Sequence, residues 1–251
     1  MDQVFRKLQG KVAVITGGSS GIGYATARLL HQHGASVAIV GRDANKLDAA
    51  ALSIGPRAFG IQADVADIAD IERVMQVVGE RHGRIDILFA NAGTSHCPPW
   101  EKTDSASFDA IIGLNFKGVF FTCARAVPLL ADDASIVLTG SAAADMGRLG
   151  DPLYAATKAA VRSLARTLAN DPTLLSKRVR INVLSPGATK TPLTQAAYEI
   201  PEVDSYVRDT IPLGRWATPD ELARAALFLA SSDSSYMTGS VLAVDGGMAQ
   251  I

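Results

Sequence analysis

Short β-branched runs recur along this chain at residues 11–16, 35–40, 58–63, 85–90, 135–140 and 179–184, and a last one opens at Val241. The stretches between them carry apolar residues at helical spacing, so two periodicities alternate from end to end. Few packings satisfy such alternation. Strands joined through helices run parallel, and the crossover helices cover both faces of the sheet. No composition break or linker interrupts the pattern. It predicts one domain over residues 1–251, a doubly wound parallel sheet in three α/β/α layers. One stretch escapes the rule. Residues from about 188 to 212 are mixed and weakly periodic, as expected of a substrate loop or lid.

In a sheet of this kind ligands lie beyond the C-terminal ends of the strands, so the residues just past each run are the ones to inspect. After the first comes Thr16-Gly-Gly-Ser-Ser-Gly-Ile-Gly23, then a helical pattern over 25–33 that closes at Gly34. Strand, glycine-rich turn and helix start together form an anion cradle. Glycine lets the backbone approach a pyrophosphate, and the first helical N–H groups and the helix dipole favour negative charge. Gly17, Ser19, Ser20, Gly21, Ile22 and Gly23 are the candidate contacts of this dinucleotide site. The second run ends in Gly41-Arg42-Asp43. An acidic residue at that place binds the ribose 2′-hydroxyl of NAD, whereas an arginine accommodates the 2′-phosphate of NADP. Gly41 holds the acidic position and Arg42 comes directly after it, with Ser19 able to add a hydroxyl. NADP(H) is therefore favoured over NAD(H). Asp43 is a rival ribose ligand, but it better suits the N-cap of a helix starting at Ala44.

Asp64 and Val65 come after the third run, where an adenine edge would lie; Asp64 also suits the cap of a helix over 68–82 and can do both. Asn91, Ala92 and Gly93 close the fourth run, and small residues there let the chain pass close to a cofactor. A long helical pattern over 108–128 contains one buried-side polar residue, Asn115. It is either a hydrogen-bonded core amide or an amide that holds a water near Lys158. The sixth run leads into Pro186, Gly187, Thr189 and Thr191. A helix over 219–231 opens with Thr218 and Glu221 at capping-box spacing.

The fifth run ends at Ser141, and a helix over 153–168 then brings Tyr154 and Lys158 onto one face, four residues apart. A phenol has a pKa near ~10, and a cation held within a few ångströms lowers it by roughly 1–3 units. Such a phenol exchanges protons with substrate near neutral pH. Read alone, the pair is better explained as an ordinary Tyr and Lys on a helix surface. What favours chemistry is that the glycine turn, Arg42, Asp64, Asn91, Ser141 and Pro186-Gly187 all fall at strand ends.

Composition excludes other classes. A net charge of −1 sets up no basic field for nucleic acid or an anionic membrane. Cys97 and Cys123 make no disulfide framework, and four scattered histidines show no metal-ligand spacing. The first residues lack a signal-peptide core and no apolar run reaches about 18 residues, so a cytoplasmic protein is expected.

The ordered set Thr16–Gly23, Asp64-Val65, Asn91-Ala-Gly93, Asn115, Ser141, Tyr154-Ala-Ala-Thr-Lys158, Ser185-Pro-Gly187 and Asp245-Gly-Gly247 closely resembles the short-chain dehydrogenase/reductase family, in its compact branch of about 250 residues. The likeness spans nearly the whole chain. It implies a Rossmann fold and hydride transfer between a nicotinamide cofactor and a small ketone or secondary alcohol. By the same resemblance Tyr154 is the proton donor or base, and Lys158 tunes it and binds the nicotinamide ribose. Ser141 hydrogen-bonds the substrate oxygen, Asn115 supports a water linked to Lys158, and Thr189 and Thr191 hold the carboxamide. Substrate contacts are expected from Ser95, His96, Ala143, Met146, Leu149, Gly187 and the loop near 194–206; Arg148 or His96 is a possible anion reader but better suits a solvated surface. The family also implies a homotetramer. Gly140 in place of a frequent Ser, and a longer 170–177 segment, depart from its pattern away from the proton path. Two alternatives stay open. One is a 3-oxoacyl-(acyl carrier protein) reductase, though acidic Asp132 and Asp133 stand where a basic docking cluster would be expected and only Lys177-Arg178 offsets them. The other is a catalytically idle family fold that senses nucleotide.

Overall fold

The computed structural model describes residues 6–147 and 151–250. Its first half runs β1 (Val12–Thr16), α1 (Gly21–Gln32), β2 (Ser36–Gly41), α2 (Ala44–Ile54), β3 (Ala58–Gln62), α3 (Ile68–His82) and β4 (Ile85–Ala90). Next come α4 (Ser105–Ile112), α5 (Gly118–Ala126), β5 (Leu130–Thr139) and α6 (Pro152–Leu168). The rest is α7 (Pro172–Ser176), β6 (Arg180–Pro186), α8 (Gln195–Glu199), α9 (Pro201–Asp209), α10 (Pro219–Ala230) and β7 (Val241–Val244). All strand pairs are parallel, in the order β3-β2-β1-β4-β5-β6-β7. The order reverses between β1 and β4, which opens a crevice at their C-terminal ends.

Every residue of β1 and β4 is buried, which is why those runs are continuously apolar rather than alternating. On one face Val74 and Val78 of α3, Val119 and Cys123 of α5, and Val161 and Ala165 of α6 pack against the sheet. Ala27 and Leu30 of α1, Leu47 of α2, and Leu222 and Leu229 of α10 fill the other. Each fully buried Leu or Ile contributes roughly 1.5–3 kcal/mol. The Asp43 carboxylate accepts from Lys46 N at 3.1 Å and caps α2, and Thr218 and Glu221 form the expected capping box on α10.

Several expectations change. The cap of α3 is Asp67, whose carboxylate accepts from Ala69 N at 2.9 Å; Asp64 instead closes its own turn on Ala66 N at 3.0 Å. The pattern over 108–128 is not one α-helix, because a π-helical turn, Gly113–Lys117, separates α4 from α5. An extra residue in one turn only shifts helical phase, so periodicity does not reveal it. Taken together, Ser105–Leu129 is 25 residues long and apolar enough by composition to cross a membrane, contrary to the expectation that no run is so long. Here it packs against α3, α6 and β4 as a helix of the sheet's covering layer. Finally, the weakly periodic stretch folds into a 3-10 turn (Pro192–Thr194), α8 and α9. Pro192 and Pro201 start these pieces, which are too short to display a period.

Candidate active site

The cradle is shaped by what glycine leaves out. Gly17 has φ +66°, and a Cβ there would come within 3.0 Å of Ala92 Cα. At Gly23 the overlap is worse, 2.2 Å from the Gly17 carbonyl oxygen. A side chain at either position would fill the turn that passes between β1 and α1. Ser20 is the N-cap of α1 without using its side chain, and the first turn has no acidic residue. The helical N–H groups therefore keep their capacity for an anion.

Thr16 and Asn91 staple this region. The Thr16 hydroxyl accepts from Asn91 N at 2.9 Å and from Ala92 N at 3.0 Å. Asn91 Nδ2 donates to Thr16 O at 3.0 Å, and Asn91 Oδ1 accepts from Thr139 Oγ1 at 3.3 Å. One amide thus ties the ends of β1, β4 and β5. Asn91 lines the cleft, as expected of a cofactor residue, but its side chain is spent on the protein. Sequence alone places Thr16 at the head of the glycine-rich motif without giving it this role, and it does not single out Thr139, whose only local signal is a threonine at the end of a strand.

At the end of β2 the exposed Arg42 guanidinium has no protein partner among the described residues. Ser19 Oγ lies 3.5 Å from where a Gly41 Cβ would stand, which places that hydroxyl beside the same strand end. Arg42 and Asp64 line a pocket of about 470 Å³ together with Gln62, Ala63, Asp70 and Arg73. Arg73 is held there by Asp70 at 2.6 Å and by Gln62 O at 2.8 Å. The backbone N–H of Asp64, and then Arg73, keep the Asp70 carboxyl below the usual range. Val65 turns its side chain into the core instead.

Ser141 comes just after β5 with extended backbone, and its Oγ accepts from Ala143 N at 3.1 Å, capping the turn Ala142–Ala144. Accepting one hydrogen bond leaves the hydroxyl proton available as a donor. On α6, Lys158 is only 3% exposed. Its Nζ donates to Thr139 O at 2.9 Å and stands 5.7 Å from the centre of the Tyr154 ring. Burial pulls the ammonium pKa down to about 8. Asn115 is fully buried in the π turn. Its Oδ1 accepts from Thr94 N at 2.8 Å, while Nδ2 donates to Thr94 O at 2.8 Å and to Thr157 Oγ1 at 3.3 Å. Both amide protons are therefore used within the protein, as in a hydrogen-bonded core amide, while Oδ1 keeps a second lone pair. A Cβ at Gly93 would sit 3.1 Å from that Oδ1 and 3.5 Å from Lys158 Nζ, a tight fit that would press on the Asn115 amide.

These groups converge on a cleft of about 640 Å³. Of the expected residues it gathers Gly17, Ser20, Gly21, Ile22, Asn91, Ala92, Gly93, Ser141, Tyr154, Lys158, Pro186, Gly187, Thr189 and Thr191, and from the substrate set Ser95, His96, Ala143 and Met146. Ser19, Gly23, Val65 and Asn115 lie outside its lining, and Arg42 and Asp64 belong to the second pocket. Leu149 and Arg148 are outside the described residues. Thr189 is buried and donates to Gly187 O at 3.1 Å, and Thr191 caps the next turn with Thr194. From the stretch near 194–206 expected to touch substrate, Thr194, Val203 and Tyr206 line the cleft, and the lining also includes Thr94, Asp151, Val207, Trp216 and Met248, which no sequence motif marks.

A family model described as Enoyl-(Acyl carrier protein) reductase matches residues 17–249. The chain is 42% identical over 248 residues to oxidoreductase asL5 of Sarocladium schorii, covering 98% of each chain. Among solved structures, the Pseudomonas aeruginosa RhlG/NADP active-site complex superposes with a TM-score of 0.92 at 33% identity, over 98% of both chains. A 3-ketoacyl-(acyl-carrier-protein) reductase from Brucella melitensis, complexed with NADH, gives 0.88 at 35% identity over 96% of this chain and 99% of that one.

Proposed function

Because the chain belongs to the short-chain dehydrogenase/reductase family of oxidoreductases, we propose that it interconverts a small free ketone and its secondary alcohol with NADP(H), using Tyr154 as general acid–base. The observation that carries this reading is that Ser141, Tyr154 and Lys158 line the same cleft as the glycine cradle.

The residues fit a dinucleotide, since a Cβ at Gly17 or Gly23 would fill the cradle and the exposed Arg42 guanidinium, without a protein partner among the described residues, lines the second pocket. Gly17, Ser20, Gly21 and Ile22 would hold the pyrophosphate, Arg42 with Ser19 the 2′-phosphate, and Asp64 the adenine edge. Lys158 would hold the nicotinamide ribose, with Pro186, Gly187, Thr189 and Thr191 around the ring. When bound, the cofactor supplies or accepts the hydride. Ser141 donates its hydroxyl proton toward the substrate oxygen, where negative charge grows during reduction. Tyr154 gives that oxygen a proton from its phenol. The Lys158 cation favours the tyrosinate left behind, and with its pKa near 8 the amine is still mostly protonated at neutral pH. Asn115 is a positioning residue that joins the segment after β4 to α6 through Thr94 and Thr157.

NADP(H) is the preferred cofactor in this reading, supported by the free Arg42. Arg42→Ala should weaken NADPH binding far more than NADH binding; equal losses would sink the 2′-phosphate assignment. Tyr154→Phe should lower ketone reduction by about 10²–10⁴-fold while NADPH still binds. If the wild type binds NADPH yet reduces no ketone in a broad panel, a nucleotide sensor is the better reading. A carrier-tethered acyl substrate is disfavoured because Asp132 and Asp133 take up Arg178, at 3.2 and 2.8 Å, leaving no basic docking cluster there. A cytoplasmic homotetramer completes the proposal, with sedimentation and fractionation as its checks.

A further inference from the structure

We infer that the substrate is an uncharged ketone with an apolar body, selected by Val203 and Val207 of α9 set against Trp216; this rests on the reduction reading above. Val203 and Val207 are one helical turn apart and both line the cleft. Both belong to the helix Pro201–Asp209. Asp204, one residue beyond Val203, accepts from the Trp216 indole N–H at 2.8 Å and pairs with Arg208 at 3.0 Å. The Trp216 ring meets Tyr198 of α8 edge-on at 5.8 Å and is 6% exposed while lining the cleft itself. Two helices thereby meet on one buried indole.

Met146 and Met248 add flexible thioethers to the lining, which adapt to an irregular apolar shape. Among the described lining residues the charged side chains are Asp151 and Lys158, and Lys158 is already committed to Thr139 O and to the neighbourhood of Tyr154. A carboxylate on the substrate body would lose its hydration against Val203, Val207 and Trp216, none of which carries a cation. An apolar body gains by leaving water, and each methylene buried is worth about fourfold in kcat/KM.

The test is a set of ketones matched in size, differing by added methylenes or by a carboxylate, assayed with NADPH on the wild type, Val207→Lys and Val203→Thr. Circular dichroism and the NADPH dissociation constant show that each variant is folded and loaded. The expected result is a rise of about fourfold in wild-type kcat/KM per added methylene. Val207→Lys should raise the keto-acid to neutral-ketone ratio by at least about tenfold, since a lysine stem can lie on the wall with its ammonium at the edge. Val203→Thr, which keeps the shape but adds a hydroxyl, should flatten the methylene series mainly through KM. A wild type that prefers the keto acid, or folded variants that leave both trends unmoved, would overturn the assignment. Reduction of no ketone despite NADPH binding would instead defeat the reduction reading and this one with it.

Discussion

At the N-terminal ends of the strands Asp86 is 4% exposed and fully answered, accepting from Lys11 Nζ at 2.9 Å, Val12 N at 2.9 Å and Arg84 Nε at 3.0 Å. Arg180 at the start of β6 likewise donates to the carbonyls of Leu229, Ser231 and Ser234. At the C-terminal ends Lys158 is as deeply buried, yet among the described residues it donates to one carbonyl, Thr139 O. The same class of group, a charge taken out of water, is saturated at one end and left partly unanswered at the other. A saturated charge holds the fold together. An under-coordinated one costs stability and keeps donors for a ligand, which is how a site differs from a joint.

Deleting the buried charge should therefore have opposite signs at the two ends. The largest effect is expected at Lys158. Its folded pKa lies below the unfolded value, so the unfolded state binds more protons between about pH 8 and 10.5, and wild-type stability rises with pH across that window. Lys158→Met should thus stabilise the apo protein at pH 7, by at most about 3 kcal/mol less the cost of a Thr139 carbonyl left without its donor, a gain that shrinks as pH climbs past 8, while ketone reduction collapses. Urea unfolding at pH 7 and pH 9.5 reads this directly, and a variant less stable than wild type at both would break the comparison.

Next in size is Asp86→Ala, which strands the Val12 N–H and should cost about 2 kcal/mol, lowering Tm by roughly 4–8 °C. Lys11 and Arg84 are each about half-exposed, so their released charges add little. Turnover per folded molecule should not change; calorimetry with a steady-state assay checks both halves. The smallest effect sharpens the closed end. His31, in the last turn of α1, is buried and accepts from Arg57 N at 3.4 Å. Burial, helped by the Arg57 charge, holds its pKa below the usual histidine value. The unfolded state then binds more protons below pH 6.5, so stability falls on acidification. His31→Gln should flatten that dependence, seen as a smaller Tm drop between pH 7 and pH 5.5.

Much of the site is legible in the sequence because its parts are local. Tyr154 and Lys158 share a face by helical spacing, and the glycines of 17–23 sit between a recognisable strand and helix. Other parts carry no local mark. Spacing leaves Asn115 open between core amide and water holder, because the groups that use its amide, Thr94 and Thr157, are 21 and 42 residues away. Val203, Val207 and Trp216 belong to a short helix and a connecting segment whose pattern is too brief to read. Asp64 and Asp67 both stand within a few residues of the start of α3, and only backbone geometry chooses the cap.

The alternation of apolar runs by itself determined a parallel α/β sheet, because strand and helix periods are properties of neighbouring residues. The glycine cradle, Arg42 after β2 and the Tyr154–Lys158 pair came with it for the same reason. Tertiary structure alone decided the strand order, the π turn at Asn115, the staple through Thr16 and Asn91, and the apolar wall of α9 and Trp216. Those depend on which distant groups meet in space. The burial that leaves Lys158 at the end of β5 with a pKa near 8 is likewise a property of packing, and no spacing along the chain encodes it.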